Sequence, residues 1–246
     1  MKHAASVIAL AGLAWSAGCA SAGDALERST TAGRSLPPAP SFHGCTILPP
    51  DNIWNRDIRS LPVHAKSVKW MNRIGARCSL SVAFCDTCKW GQRINLAGAA
   101  SPRTLIVFKN RQSDPGRYPF SAVSEIQRGD PDLHCIMLDT TACVLYELYR
   151  ADWNSGAPRA EFGAIFPLRT NTLRRDGASS ADEAGLPIMP GVIRWDEVNS
   201  GEIRHALRFQ TMRDHVDGTP LSWLWPARHT SKTNLPHDGD LPPMGA

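Results

Sequence analysis

The stretch LHCIMLDTTACVLYELYR, residues 133–150, decides the fold because two apolar runs flank a short polar turn. A turn over residues 139–142 gives a β-hairpin in which three pairs share one face. These predicted pairs are Leu138–Cys143, Ile136–Leu145 and His134–Glu147. The other face carries the apolar side chains Met137, Val144, Tyr146 and Leu148. Since both faces are largely apolar, we predict that the hairpin lies at the centre of a sheet. In this register Cys135 and Cys143 lie on opposite faces, so we predict that they do not bond to each other.

Short apolar segments, separated by 19 glycines and 19 prolines, surround this hairpin. The pattern favours a mainly β fold, an antiparallel β-sandwich or an irregular barrel with few short helices. Further strands are predicted at 105–109, 165–168, 192–195, 203–209 and 221–225. One short helix is predicted at SSADEAGLP, residues 179–187, where Ser180 and Glu183 have the spacing of a capping box.

The N-terminal residues 1–22 have the layout of an export signal, with Lys2 before an apolar run and small residues after it. Two outcomes stay open: cleavage after Ala20-Ser21-Ala22, or a lipoprotein signal that ends before Cys19. Residues 23–41 are interpreted as a flexible linker and residues 42–246 as a single β-rich domain. We therefore expect an exported protein that is periplasmic, anchored at the outer membrane or extracellular. Membrane contact is expected only with a lipoprotein signal, through a lipid on Cys19.

Seven cysteines include Cys19, and its removal leaves six, an even number that predicts disulfides in an exported chain. The pair Cys85-x-x-Cys88 has the spacing of half a zinc site, but the sequence holds no second such pair, so neither a metal nor a cofactor is predicted. The net charge of +4 is spread along the chain, so no nucleic-acid partner is expected. The Arg174-Arg175 pair is interpreted as part of a solvated turn.

Carboxyl and imidazole groups supply the candidate catalytic residues. Glu147 is the first candidate, because burial in a strand with two apolar faces would raise the pKa of its carboxyl group and allow general acid or base catalysis. His134 would tune Glu147 from the opposite strand; the alternative is a cross-strand ion pair that only satisfies two polar groups. Asp182 or His205 would be the second participant in glycan cleavage. For Asp182 the alternative role is stabilisation of a helix N-terminus.

Cations and tryptophans supply the candidate substrate contacts. Arg208 would neutralise a uronate in a polysaccharide lyase. In WPARH, Pro226 fixes the chain beside Arg228 and His229; the alternative is an edge strand with its charges in water. Trp195 and Trp225 would stack on sugars, as could Trp54, Trp153 and Trp223, although core or strand packing is the more frequent role of a tryptophan.

The charged segment DEVNSGEIRHALRF, residues 196–209, divides by its period of two. As a strand, 203–209 would place His205 on the apolar face and Arg208 on the polar face, while Asp196 and Glu197 precede it in a turn. We predict that His205 is a lone histidine among apolar side chains.

Several phrases together resemble one family of exported, largely uncharacterised bacterial proteins. They are DNIWNRDIRSLPV at 51–63, SDPGRYPF at 113–120, CVLYELY at 143–149, SADEAGLPIMPGVIRWDEVNSGEIRHALRF at 180–209 and WPARH at 225–229. Members of this family are sometimes fused to carbohydrate-binding modules, which implies a role on polysaccharide. The segment 77–103 departs from the family pattern. Relatives also continue beyond PPMGA, so we expect a domain shortened at its C-terminus.

Two functions follow as hypotheses. The first is an exported protein that acts on a polysaccharide or cell-envelope glycan, with glycan cleavage by a glycoside hydrolase or polysaccharide lyase mechanism. The second is a non-catalytic carbohydrate-binding or structural protein of the envelope.

Overall fold

The computed structural model describes residues 36–75, 91–129, 131–154, 157–210, 223–230 and 239–245. In these residues strand is more frequent than helix, and all helices are short, so the fold is mainly β. The predicted export signal, residues 23–35 of the predicted linker, and Cys19, Cys78, Cys85 and Cys88 lie outside the described residues.

The elements follow in chain order. The strands are β1 Ser41–Phe42, β2 Cys45–Thr46, β3 Ile94–Ala97, β4 Thr104–Leu105, β5 Val107–Phe108, β6 Arg117–Tyr118, β7 Cys135–Asp139, β8 Val144–Tyr149, β9 Arg159–Ala160 and β10 Phe162–Pro167. The helices are α1 Ser67–Ile74 and α2 Trp195–Ser200, with 3-10 turns at Ile53–Asn55 and Met189–Gly191.

The central sheet has the strand order β10-β8-β7-β3, so the predicted hairpin β7–β8 lies in its middle, as expected. Hydrophobic clusters cover both of its faces. One cluster contains Ile136, Leu138 and Leu145, and the other contains Cys135, Met137 and Leu148. Each fully buried large apolar side chain contributes about 1.5–3 kcal/mol, and the hairpin supplies five of them: Ile136, Met137, Leu138, Leu145 and Leu148.

The register of the hairpin differs from the prediction by two residues. Ile136 pairs with Glu147 rather than with Leu145. The reason is that the turn covers residues 140–143 instead of the predicted 139–142. The cause is Asp139, whose Oδ1 accepts hydrogen bonds from the backbone amides of Thr141 and Ala142, at 2.9 and 3.0 Å. A shift of two residues keeps every side chain on its predicted face but separates His134 from Glu147.

The sheets are not purely antiparallel. β3 pairs with β7 and β5 pairs with β9 in parallel, while the other strand pairs are antiparallel. The described strands form one four-stranded sheet and three two-stranded ladders, which do not close into a barrel. Among the described strands the antiparallel expectation therefore holds for four pairs and is wrong for β3–β7 and β5–β9.

Three predicted elements are wrong. Residues 192–195 do not form a strand, because the chain passes from a 3-10 turn into α2. Residues 203–209, which we call the strap, form no ladder; their amides instead bond to Trp54 O from Ala206, at 2.7 Å, and to Gly191 O from Arg208, at 2.8 Å. The helix predicted at 179–187 is a series of turns.

Local side-chain bonds explain the missing helix. The Ser180 hydroxyl oxygen accepts from the Asp182 amide at 2.9 Å, and Asp182 Oδ1 accepts from the Ala184 amide at 2.8 Å. Such bonds compete with helical backbone bonds. Of the remaining predicted strands, 105–109 is divided into β4 and β5, 165–168 overlaps β10, and 221–225 lies partly outside the described residues.

Two further predictions concern cysteine and arginine. Cys45 bonds to Cys143, with Cα atoms 5.4 Å apart, and Cys135 is buried and free, so the prediction that Cys135 and Cys143 do not bond is confirmed. Arg174 is not solvated, because only 6% of its side chain is exposed and it pairs with Asp114.

None of the described helices is long and apolar enough to cross a membrane.

Candidate functional site

Glu147 lies on β8 and is completely buried. Its Oε1 accepts hydrogen bonds from the backbone amides of Ile188 and Met189, both at 2.9 Å, and Oε2 also lies 2.9 Å from the Ile188 amide. Burial raises the pKa of Glu147 to about 7, and the nearby charge of Asp182 adds to this; the two amides and Arg208 oppose it. The sequence-based expectation of a buried glutamate with a raised pKa is met.

Asp182 and Arg208 lie beside Glu147 and form an ion pair, with Arg208 Nε 2.5 Å from Asp182 Oδ2. The turn at 180–184 orients the carboxylate of Asp182. Its Oδ1 accepts a hydrogen bond from the Ala184 amide, and its Oδ2 accepts one from Arg208 on the strap. Asp182 therefore does not stabilise a helix N-terminus. We call Glu147, Asp182 and Arg208 the Glu147 cluster; the structure brings these three sequence candidates together.

The Glu147 cluster contains two carboxyl groups in different environments. Such a difference is what a general acid and a second carboxylate require. However, both oxygens of Glu147 face backbone amides and the side chain has no contact with solvent. The direct effect of Glu147 in this structure is to hold residues 188–189 against the central sheet.

His205 is not a lone histidine among apolar groups, as the strand interpretation predicted. Its side chain is 1% exposed, with Nε2 2.8 Å from Glu197 Oε1 and Nδ1 2.8 Å from Ala206 O. Both neighbouring atoms, Glu197 Oε1 and Ala206 O, are acceptor oxygens. His205 thus attaches the strap to α2.

Arg194 completes this second group, which we call the Glu197 cluster: Arg194, Glu197 and His205. The Arg194 amide donates to Glu197 Oε2 at 2.9 Å, and its guanidinium pairs with Oε1 of the same carboxylate. Sequence analysis missed both residues, and it placed Glu197 in a turn. Arg194 caps α2 and Glu197 is its third residue; this spacing, in a helix that Gly201 terminates, is the signal that indicates such a pair.

His134 is also placed differently from the prediction. Its ring lies 5.5 Å from that of Tyr149, and its backbone amide donates to Gln127 Oε1 at 3.4 Å. The observed register puts Ile136, not His134, opposite Glu147. The predicted pair of His134 with Glu147 is therefore wrong.

Arg228 and His229 bind backbone carbonyls of neighbouring loops. Arg228 Nε donates to Arg174 O at 2.9 Å, and its guanidinium also pairs with Asp176. His229 Nδ1 lies 2.8 Å from Glu183 O. These contacts hold the loops together, and a role in substrate binding stays a prediction.

The five candidate tryptophans divide into two groups. Trp195 is 74% exposed and Trp225 is 61% exposed. Trp54, Trp153 and Trp223 instead pack against hydrophobic clusters. Because tryptophan is highly buried on average, the exposure of Trp195 and Trp225 distinguishes them from the other three.

Comparisons with protein-family models, with curated protein sequences and with solved structures give no match. Within the described ranges, no group of three or more His, Cys, Asp or Glu side chains is arranged to hold a metal ion.

Proposed function

We propose that the protein is an exported, non-catalytic carbohydrate-binding protein that acts at the cell envelope or outside the cell. The observation that carries this proposal is the exposure of Trp195 and Trp225, at 74% and 61%. An exposed indole offers a rigid, flat apolar surface with a polar N–H at its edge, and aromatic side chains of this kind dominate binding surfaces.

Two further observations support export and the glycan ligand. The Cys45–Cys143 disulfide fits an oxidising compartment. The resemblance to exported bacterial proteins that are sometimes fused to carbohydrate-binding modules supports a polysaccharide partner, and we propose membership of that family.

Affinity electrophoresis in gels that contain neutral or acidic polysaccharides tests this function. We expect retardation of the wild-type protein by at least one polysaccharide. The variants Trp195→Ala and Trp225→Ala should each weaken binding about 5- to 30-fold, which corresponds to about 1–2 kcal/mol. Val123→Ala is the matched control, because Val123 is 87% exposed and is not aromatic. Equal retardation of all four proteins would contradict the proposed role of the two tryptophans.

A second candidate function is glycan cleavage at the Glu147 cluster. The observation that favours it is the raised pKa of Glu147, about 7, beside the ion pair of Asp182 and Arg208. In this scheme Glu147 donates the proton to the leaving oxygen and Asp182 acts as the second carboxylate, while Arg208 faces the negative charge of the substrate. Because Glu147 is buried and bonds to the amides of residues 188–189, this reaction requires that segment to move.

Incubation with neutral and uronate polysaccharides, followed by assays for new reducing ends and for absorbance of new double bonds, tests cleavage. Turnover by the wild type that is lost in Glu147→Gln would select the enzyme. Circular dichroism of the variant controls for unfolding. Retention by a glycan without turnover would select the binding function.

A further inference from the structure

An open groove of about 400 Å³ lies along the two-stranded parallel ladder of β5 and β9. Backbone hydrogen bonds join the two strands of its floor, since the amides of Val107 and Lys109 bond to Pro158 O at 2.9 Å and to Ala160 O at 3.1 Å. The volume falls in the range of small-ligand pockets, about 300–1,000 Å³. The groove lies on elements other than those that carry the Glu147 cluster, Trp195 and Trp225.

The floor of the groove is apolar and its rim is cationic. Val107 is 59% exposed and lies next to Phe108, which packs edge to face on Tyr118 with ring centroids 5.4 Å apart. Lys109, Arg150 and Arg159 line the groove together with a single carboxylate, Glu161. Three positive charges and one negative charge leave the lining with an excess of two positive charges.

The three cations are not equally available to a ligand. Arg150 pairs with Glu161 at 3.0 Å and lies over the ring of Tyr149, 5.3 Å from its centroid. Lys109 is 77% exposed and 4.0 Å from Glu161. In the part of the chain that the structure describes, the guanidinium of Arg159 has neither a hydrogen-bond nor an ion-pair partner. Arg159 is therefore the cation that is free to bind an anion.

We propose that this groove binds the carboxylated sugars of an acidic polysaccharide, with Arg159 as the main contact to the carboxylate. A guanidinium matches a carboxylate with two parallel hydrogen bonds. The apolar floor suits the C–H face of a pyranose ring, and Glu161 accepts hydrogen bonds from ring hydroxyls. The inference rests on the proposed function in one respect, namely that the ligand is a glycan.

The shape of the groove favours a sugar acid over a nucleic acid. A phosphate backbone requires a long positive track, because each phosphate contact adds one cation along the strand. Here the positive charge is confined to one short ladder, so the groove offers no such track.

Titration calorimetry with oligogalacturonate, at low and at physiological ionic strength, tests the inference. We expect that Arg159→Gln weakens binding about 10- to 100-fold, because a hydrogen-bonded charge contact contributes about 1.5–3 kcal/mol. Arg159→Lys should bind with intermediate affinity, since lysine keeps the charge but not the two parallel bonds. The control is Arg56→Gln, an exposed arginine outside the groove, which should bind like the wild type.

Each other outcome overturns the inference in a recognisable way. Equal affinity of Arg159→Gln and wild type for oligogalacturonate would show that the acid binds elsewhere. Binding of a neutral glycan such as dextran without binding of oligogalacturonate would overturn the groove but leave the proposed function intact. Binding of neither would contradict both. Equally tight binding of a single-stranded oligonucleotide would mean that the groove selects charge and not sugar.

Discussion

The carboxylate of Glu147 and the backbone amide of Ile188 are 2.9 Å apart, although 41 residues separate them in the chain. This contact holds residues 188–189 against strand β8 in the core, and Ile188 and Met189 join the hydrophobic cluster that covers this face of the sheet. A buried carboxyl group that bonds to backbone amides is thus part of the packing of the domain, and its protonation is linked to stability.

Neutralising Glu147 should change the pH dependence of stability. The folded-state pKa of about 7 lies above the ordinary value of 4.5, so the folded protein binds this proton more tightly than the unfolded chain. The free energy of unfolding should therefore decrease as the pH rises from about 4.5 to about 7, by about 3 kcal/mol in total. Glu147→Gln should remove this decrease, because the side-chain amide of glutamine does not titrate in this pH range. Its Oε1 can keep the bonds to both backbone amides.

Urea unfolding at pH 5 and pH 7.5, followed by tryptophan fluorescence, measures this effect. Glu202→Gln is the control, since Glu202 is an exposed glutamate that pairs with exposed Arg204. The explanation fails if Glu147→Gln and wild type lose the same stability between the two pH values.

Removing the positive charge of Arg208 should destabilise the Glu147 cluster. In Arg208→Gln, Asp182 loses its ion-pair partner at 2.5 Å. The pKa of Glu147 should rise further, because the positive charge of Arg208, which lowers this pKa, is gone. We expect a loss of about 2 kcal/mol at pH 7.5, below the 3–5 kcal/mol of a fully buried pair because Arg208 is partly exposed. The loss should be smaller at pH 5, where Glu147 is protonated.

The matched control for this change is Arg204→Gln. Arg204 lies on the same strap, but its side chain is 53% exposed and pairs with an exposed carboxylate. Its loss should change the free energy of unfolding by no more than about 0.5 kcal/mol. Similar losses for both variants in urea titrations would argue against a specific role of the buried pair.

A methyl group at Gly191 should displace the strap. A Cβ atom there would lie 2.5 Å from Trp54 Cζ3 and 2.7 Å from Arg208 Cβ, both closer than carbon atoms approach. We expect Gly191→Ala to lower the free energy of unfolding by about 1–3 kcal/mol through overpacking.

Gly98→Ala serves as the control for the loss of a glycine, because its nearest contact would be Thr141 Oγ1 at 4.0 Å. Thermal unfolding should show a lower midpoint for Gly191→Ala and no loss for Gly98→Ala. Unchanged stability of Gly191→Ala would mean that the strap does not pack closely on residue 191 in solution.

Removal of the Cys45–Cys143 bond should destabilise the domain strongly. The bond joins residues 98 apart, and closing a loop of that length restricts the unfolded chain by about 3–5 kcal/mol. Urea unfolding of the double variant Cys45→Ala/Cys143→Ala measures this loss. The reduced wild-type protein serves as the control, compared with the oxidised protein. Cys135→Ser is unsuitable for this purpose because Cys135 is buried. Equal stability of the oxidised and reduced proteins would contradict the prediction.

The central hairpin shows how much of the fold the sequence predicts. The alternation of side chains in 133–150 predicted the two apolar faces and the central position, because an error of two residues in register leaves each side chain on its face. The register itself depends on the turn, where Asp139 bonds to two amides that follow it. Hydrophobic periodicity does not indicate which residues form the turn, and so it does not predict the register.

The strap shows where local patterns fail. Residues 203–209 alternate as a strand does, yet they form no ladder in the described structure. Their partners are Trp54, Gly191, Asp182 and Glu197, which lie in distant or helical segments. A pattern of period two indicates which side chains alternate, but it does not show whether another strand lies beside them.

By itself, the sequence determined that a two-faced apolar hairpin forms the centre of the sheet, that Glu147 is buried within it, and that Cys135 and Cys143 do not pair. These features depend on side-chain alternation within one short segment. Only the tertiary structure decided that Glu147 bonds to Ile188 and Met189, that Asp182 pairs with Arg208, and that Cys45 bonds to Cys143. The physical reason is that each of these contacts joins segments distant in the chain, whose meeting depends on the packing of the whole domain.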